Sequence, residues 1–139
     1  VVLACPLTAE TRGLIGPREI GLMKRDAFLV NVARGPVIDE PALVTALRER
    51  RIGGAGLDVF ADQPLPAGHP LAALDNVLLA PHCVCDTYEL RRDVLAKTVS
   101  EILAFADGGW PESVVNPAVR EKAAFAAKRA ALLERAREG

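Results

Sequence analysis

Apolar and polar positions divide the chain into short apolar runs separated by amphipathic stretches. Four runs, at residues 1–5, 27–32, 55–59 and 76–79, are nearly continuous in apolar character and rich in Val, Leu or Ala. Such runs predict strands, and their lack of alternation predicts strands buried on both faces, as in a parallel sheet. Helical patterns lie between them. Residues 17–24 open on Pro17, which suits a first helical turn. Residues 40–51 carry a clearer signal: Asp39 can cap the helix, Pro41 sits in its first turn, and Leu43, Val44 and Leu47 form an apolar face. The longest predicted helix covers 87–106. Asp86 with Glu89 resembles a capping box, and Leu90, Val94, Leu95, Thr98, Ile102 and Leu103 recur at helical spacing. Gly108, Gly109 and Pro111 then stop it. A last helix, 119–137, is rich in Ala and Arg and follows a turn at Asn116-Pro117. Strands alternating with helices predict an α/β fold, part of a doubly wound parallel sheet, with a C-terminal helical tail.

Composition and charge add exclusions. Half of the 139 residues are apolar and a quarter are charged, which is ordinary for a globular domain. The formal net charge of −1 gives no electrostatic reason to expect a nucleic acid or a membrane surface as partner. The basic face of 119–137 reads as solvated. No apolar run reaches the roughly 18 residues of a membrane span. The opening VVLACP is too short for a signal peptide and lacks a basic flank. Position 1 is Val, and the chain opens directly on a strand-like run, so a piece of a longer chain is expected. Three cysteines, Cys5, Cys83 and Cys85, form no paired spacing, so free thiols in a reducing cytoplasm are expected. His82-Cys83-x-Cys85 lacks both the CxxC pairing and the second cluster of a zinc site, so no metal is expected.

In open α/β sheets, ligands bind beyond the carboxyl ends of the strands. The first predicted strand is followed by Cys5-Pro6-Leu7-Thr8, the second by Arg34-Gly35 and the fourth by Pro81-His82, while Asp58 lies near the end of the third. If the strands are parallel, a cation, an imidazole and a carboxylate share one edge. Singly, an Arg after a strand is most often a surface ion-pair partner, and a His after Pro is a turn residue. Asp58 is harder to dismiss, because a carboxylate inside an apolar strand must find donors. As a set they suit reduction of a 2-oxo acid. A guanidinium grips the carboxylate through paired hydrogen bonds, an imidazole gives the carbonyl oxygen its proton, and a nicotinamide cofactor provides the hydride.

The segments CPLTAETRGLIG, LVNVARGPVIDEPALVTAL, GAGLDVF, QPLPAGHPL and NVLLAPH occur in that order. They closely resemble the second half of the cofactor-binding domain of D-isomer-specific 2-hydroxyacid dehydrogenases, a family that includes phosphoglycerate, glycerate and D-lactate dehydrogenases. The resemblance runs from Val1 to about Val119. It implies a Rossmann-like fold, with 1–106 as the C-terminal half of the NAD-binding domain and 107–139 as a C-terminal extension of turn and helix. It implies an oxidoreductase using NAD or NADP on a small 2-hydroxy or 2-oxo acid, commonly as a homodimer, with the isolated chain inactive. Arg34 looks like the family's substrate-binding arginine and His82 like its proton donor and acceptor. Asp58 is similar to the aspartate that contacts the nicotinamide amide. Cys5, Pro6 and Thr8 match the loop along the cofactor, and Ala33 matches the residue whose backbone faces the nicotinamide. Arg34 and His82 also border the cofactor.

Two departures change this picture. Family members usually carry Glu before the Pro of DVFxxEP, paired with the histidine, whereas here the position is Gln63. An amide can orient His82 but cannot favour an imidazolium as a carboxylate does. Adjacent Asp62 could substitute electrostatically, although in an extended stretch it would point elsewhere. Gln-Pro at this place is similar to NAD-dependent formate dehydrogenases, whose reaction needs no proton transfer. A formate-dehydrogenase-like enzyme and a weakly catalytic NAD-binding regulatory relative are therefore the alternative readings. Second, Cys-Val-Cys-Asp follows His82 where most relatives have small residues, placing thiols beside the site. The family's GxGxxG turn is not in this sequence, because Gly53-Gly54-x-Gly56 precedes a strand instead of following one. These 139 residues therefore lack the backbone cradle for the pyrophosphate.

Overall fold

The computed structural model describes residues Val1–Glu138, so Gly139, the last position of the expected 107–139 extension, lies outside it. Four strands form one sheet: β1 (Val2–Leu3), β2 (Phe28–Asn31), β3 (Gly54–Leu57) and β4 (Val77–Leu79). They are parallel and adjacent in chain order. Helix α1 (Pro17–Gly21) joins β1 to β2, and α2 (Glu40–Arg48) joins β2 to β3. A 3-10 turn, Pro70–Ala73, precedes β4. Because every strand runs the same way, all four carboxyl ends lie along one edge, as the apolar runs predict.

Register separates the two faces of the sheet. Leu3, Asn31 and Leu57 sit side by side and are all buried. They face the core built with Ile20 of α1 and with Leu43 and Leu47 of α2. The neighbouring row, Val2, Val30, Gly56 and Leu78, is on the other face, where Val2, Leu78 and the nearby Phe28 are exposed. The expectation of strands buried on both faces therefore fails for β1, β2 and β4. Both α1 and α2 add to the same layer, and among the described residues of this part of the chain no helix covers the opposite face.

Helix ends also differ from the sequence pattern. Helix α2 keeps the expected cap, with the Asp39 carboxylate accepting the Ala42 N–H at 3.0 Å. It stops at Arg48 instead of running to 51, because Arg50 takes a left-handed φ of 53°. Helix α1 ends at Gly21, short of residue 24.

The chain divides into two compact units, Val1–Cys85 and a second beginning at Asp86. Helix α3 (Tyr88–Ala106) belongs to the second, not to the part containing the sheet, where the sequence reading placed it. Its cap is Thr87, whose hydroxyl accepts the Leu90 N–H at 3.1 Å, and not Asp86. Asp86 instead pairs with Arg91, whose hydrogen bond holds the Asp86 carboxyl below the usual carboxylate range. No residue of α3 is buried. A 3-10 turn, Pro117–Glu121, precedes the last helix, α4 (Ala123–Glu138), which starts later than residue 119. Its basic residues are not simply solvated. The Arg129 guanidinium donates to the carbonyls of Gly108 and Gly109 and lies 5.4 Å from the Phe105 ring centre.

Candidate active site

The arginine at the end of β2 is placed by a buried amide. Asn31 is 1% exposed and uses both ends of its side chain on the turn that follows. Its Oδ1 accepts the Ala33 N–H at 3.0 Å, and its Nδ2 donates to the Arg34 carbonyl at 3.1 Å. This fixes Ala33 and Arg34 at the strand's carboxyl end. The turn also needs Gly35, because a Cβ there would lie 1.9 Å from the Phe60 carbonyl. The Arg34 side chain donates to the Ala33 carbonyl at 2.6 Å and forms no ion pair among the described residues. Its remaining N–H groups are available to an incoming carboxylate.

His82 follows β4 in an exposed loop and has a positive φ of 57°. For a residue with a Cβ this conformation costs energy and must be held in place by neighbours. Asp58 holds it. Its carboxylate, 4% exposed, accepts the Cys83 N–H at 2.8 Å and the Val84 N–H at 3.2 Å. The donors that a carboxylate inside β3's apolar run demands are thus the two amides just after His82. Gln63 completes the arrangement, with its Oε1 3.1 Å from His82 Nδ1. A carbonyl oxygen only accepts, so Nδ1 carries the ring hydrogen and Nε2 is left to exchange a proton. Asp62 makes no hydrogen bond to His82 among the described residues. His82 and Gln63 border a largely apolar pocket of about 510 Å³, walled by Phe60, Leu65, Leu79 and Pro81.

At the end of β1, Pro6 and Thr8 are exposed and Cys5 is half-buried. The Thr8 hydroxyl accepts the N–H groups of Glu10 and Thr11, while the Pro6 carbonyl accepts the Thr11 hydroxyl at 2.7 Å. Cys83 and Cys85 are exposed, free thiols. No group of three or more His, Cys, Asp or Glu among the described residues is arranged to hold a metal ion. The structure brings His82, Gln63 and Asp58 together as one hydrogen-bonded unit. It puts Arg34, Ala33, Pro6 and Thr8 on the same sheet edge, with no side-chain hydrogen bond to that unit among the described residues. Sequence reasoning passed over Asn31, although a polar residue closing an apolar strand was a usable signal. It also passed over Glu40 and His69, whose contact joins positions 29 apart in sequence and leaves no local pattern.

Residues 1–84 match the family model described as D-isomer specific 2-hydroxyacid dehydrogenase, NAD binding domain. A glyoxylate reductase of Aeropyrum pernix is 50% identical over 111 residues, which cover 80% of this chain and 33% of that protein. A glyoxylate/hydroxypyruvate reductase B of Yersinia enterocolitica is 43% identical over 121 residues, 87% of this chain and 37% of that protein. The chain thus spans about a third of the length of these relatives. A D-isomer specific 2-hydroxyacid dehydrogenase of Xanthobacter autotrophicus, solved with NADPH and MES, superposes with a TM-score of 0.67 at 43% identity, covering 84% of this chain and 47% of that one.

Proposed function

This chain belongs to the D-isomer specific 2-hydroxyacid dehydrogenase family, and from that premise we propose that it forms the nicotinamide end of the active site of an NAD- or NADP-dependent reductase of small 2-oxo acids. Glyoxylate and hydroxypyruvate are the substrates that the relatives' names suggest. The observation that carries the reading is the His82 Nδ1–Gln63 Oε1 contact at one end of a parallel sheet edge that also presents an Arg34 with no ion pair among the described residues. The residues fit the flat nicotinamide end of the cofactor. Exposed Pro6 and Thr8, the small Ala33 and the 81–85 loop follow the ends of β1, β2 and β4 and leave that edge open. They do not fit its pyrophosphate, because no Gly-rich turn opens a helix in this sequence.

The bound cofactor supplies the hydride. Arg34 grips the substrate carboxylate through its remaining N–H groups and so presents the adjacent carbonyl. His82 Nε2 donates a proton to the carbonyl oxygen in reduction and takes it back in oxidation. Gln63 fixes the ring's orientation and tautomer, and Asp58 holds the loop beneath it. A homodimer in a reducing cytoplasm completes the reading. It is supported by the family's habit and by the unpaired thiols Cys5, Cys83 and Cys85.

The test is to graft this chain in place of the matching third of the A. pernix glyoxylate reductase and to follow NADH and NADPH oxidation with glyoxylate and hydroxypyruvate. A folded chimera, checked by its thermal melt, is expected to reduce at least one of them. Arg34→Ala and His82→Ala should each lower kcat/KM by about a thousandfold. The uncharged amide of Gln63 beside His82 favours a second reading, hydride transfer from formate without a proton donor. Formate oxidation with no 2-oxo acid turnover would establish that reading and end the first.

A further inference from the structure

The loop that carries Gln63 is tied down at both ends by one carboxylate. Glu40, the first residue of α2, accepts the Ala61 N–H on Oε2 at 3.0 Å. Its Oε1 lies 3.3 Å from His69 Nε2. Both side chains are well shielded, 14% and 19% exposed. His69 Nδ1 accepts the Leu71 N–H at 3.3 Å, so the neutral ring carries its hydrogen on Nε2 and donates it to Glu40. Leu71 is completely buried, which anchors the far side of this chain of contacts in the core. On the near side, Phe60 and Ala61 pack against Gly35, next to Arg34. Between the two ties run Gln63, Pro64 and Leu65, the part of the loop that reaches the His82 pocket.

We propose that Glu40 and His69 are positioning residues for the reaction, forming a clamp that sets Gln63 opposite His82 and thereby selects the ring tautomer. Neither touches His82. An exposed loop held at one end samples many places for its middle. Two ties to a single shielded carboxylate remove that freedom, and the Gln63–His82 hydrogen bond then costs little further ordering. The Ala61 tie also places the start of the Gln63 loop against the Arg34 turn. The consequence for catalysis rests on the role proposed for His82; the geometry and its test do not.

The chain has two histidines, His69 and His82, so long-range ¹H–¹⁵N spectra of the 139-residue chain read both rings directly. Wild type is expected to show His82 mainly as the Nδ1–H tautomer and His69 mainly as Nε2–H. Gln63→Ala sets the level reached when the contact is lost. In Glu40→Ala and His69→Leu, the Nδ1–H to Nε2–H ratio of His82 should fall about fivefold, the weight of one hydrogen bond, although Gln63 is intact. His69→Gln, which keeps a donor toward Glu40, should recover most of it. Amide dispersion confirms folding. If Glu40→Ala does not fold, His69→Leu, which leaves the Glu40–Ala61 bond in place, decides. An unchanged His82 ratio in the folded clamp variants, with a lowered ratio in Gln63→Ala, overturns the clamp and leaves the proposed function standing. A ratio that Gln63→Ala does not move overturns the Gln63–His82 contact and the clamp with it, and leaves the proposed function to the turnover of the grafted enzyme.

Discussion

Residues 1–85 and helix α3 both carry recurring apolar residues, and they use them in opposite ways. In the first, Leu29, Leu43, Leu47, Ile52 and Leu71 are essentially inaccessible to water. In the second, Leu90, Val94, Leu95, Val99, Ile102 and Leu103 recur at the same helical spacing, and every one is exposed. Spacing reports that a helix forms and which stripe is apolar. It does not report whether a partner for that stripe is present. Stability should therefore reside in the first region, and catalytic geometry should be built from polar groups set against that packed background.

The largest effect is expected inside the core. Leu47→Ala removes a fully buried side chain from α2 and leaves a cavity beneath the sheet. It should cost about 3 kcal/mol in urea denaturation of the 139-residue chain. A much smaller cost would mean that the two regions do not differ as their burial says. Asn31→Ala comes next. It leaves the Ala33 N–H without its partner in a buried position and frees the Arg34 carbonyl. About 2 kcal/mol of stability should be lost. In the grafted enzyme, KM for the 2-oxo acid should rise more than kcat falls, because Arg34 loses its fixed base. A loss of stability with unchanged KM would limit Asn31 to the fold.

Legibility in the sequence follows the same division. The parallel sheet was readable because each strand is a short apolar run and the first two connections carry helical patterns. The order β1-β2-β3-β4 brings the expected edge residues together. The Asp39 cap was readable because a cap is local. The exposed sheet face was not, since Val2, Phe28 and Leu78 look like core residues until the covering layer is counted. Of the site, Arg34, His82 and Asp58 stood out by their places at or after the ends of strands, whereas Gln63 stood out only through the family resemblance. The clamp did not, since Glu40 reads as an ordinary first-turn acid and His69 as a loop residue. The Thr87 cap was missed because Asp86 competes for the same local pattern and is drawn off by Arg91.

A smaller effect concerns chemistry on the packed region. Gln63→Glu puts a carboxylate where the amide now accepts from His82 Nδ1. A carboxylate favours the imidazolium, so the variant's ring holds its second proton to higher pH than the wild-type ring does. Reduction uses that proton. The variant's reductase profile should therefore extend about one pH unit further toward alkaline pH, with thermal stability nearly unchanged. In the oxidation direction the neutral ring is needed, and the same substitution should move the onset of activity upward by a similar amount. Superimposed profiles would place the ring's controlling partner elsewhere.

The smallest effect is expected in α3. Leu95 is 65% exposed and sits in a helix with no buried residue. Truncating it removes little apolar surface that folding had hidden, and alanine is the better helix former by a small margin. Leu95→Ala should change stability by less than about 0.5 kcal/mol, against about 3 kcal/mol for Leu47→Ala in the same urea series. The pair of measurements isolates environment, because the deleted atoms are the same. If Leu95→Ala instead costs 2 kcal/mol or more, the apolar row of α3 is covered in solution. Repeating the titration at two protein concentrations then locates the cover. A midpoint that rises with concentration assigns it to a second copy of the chain. A midpoint that does not move assigns it to residues of the same chain.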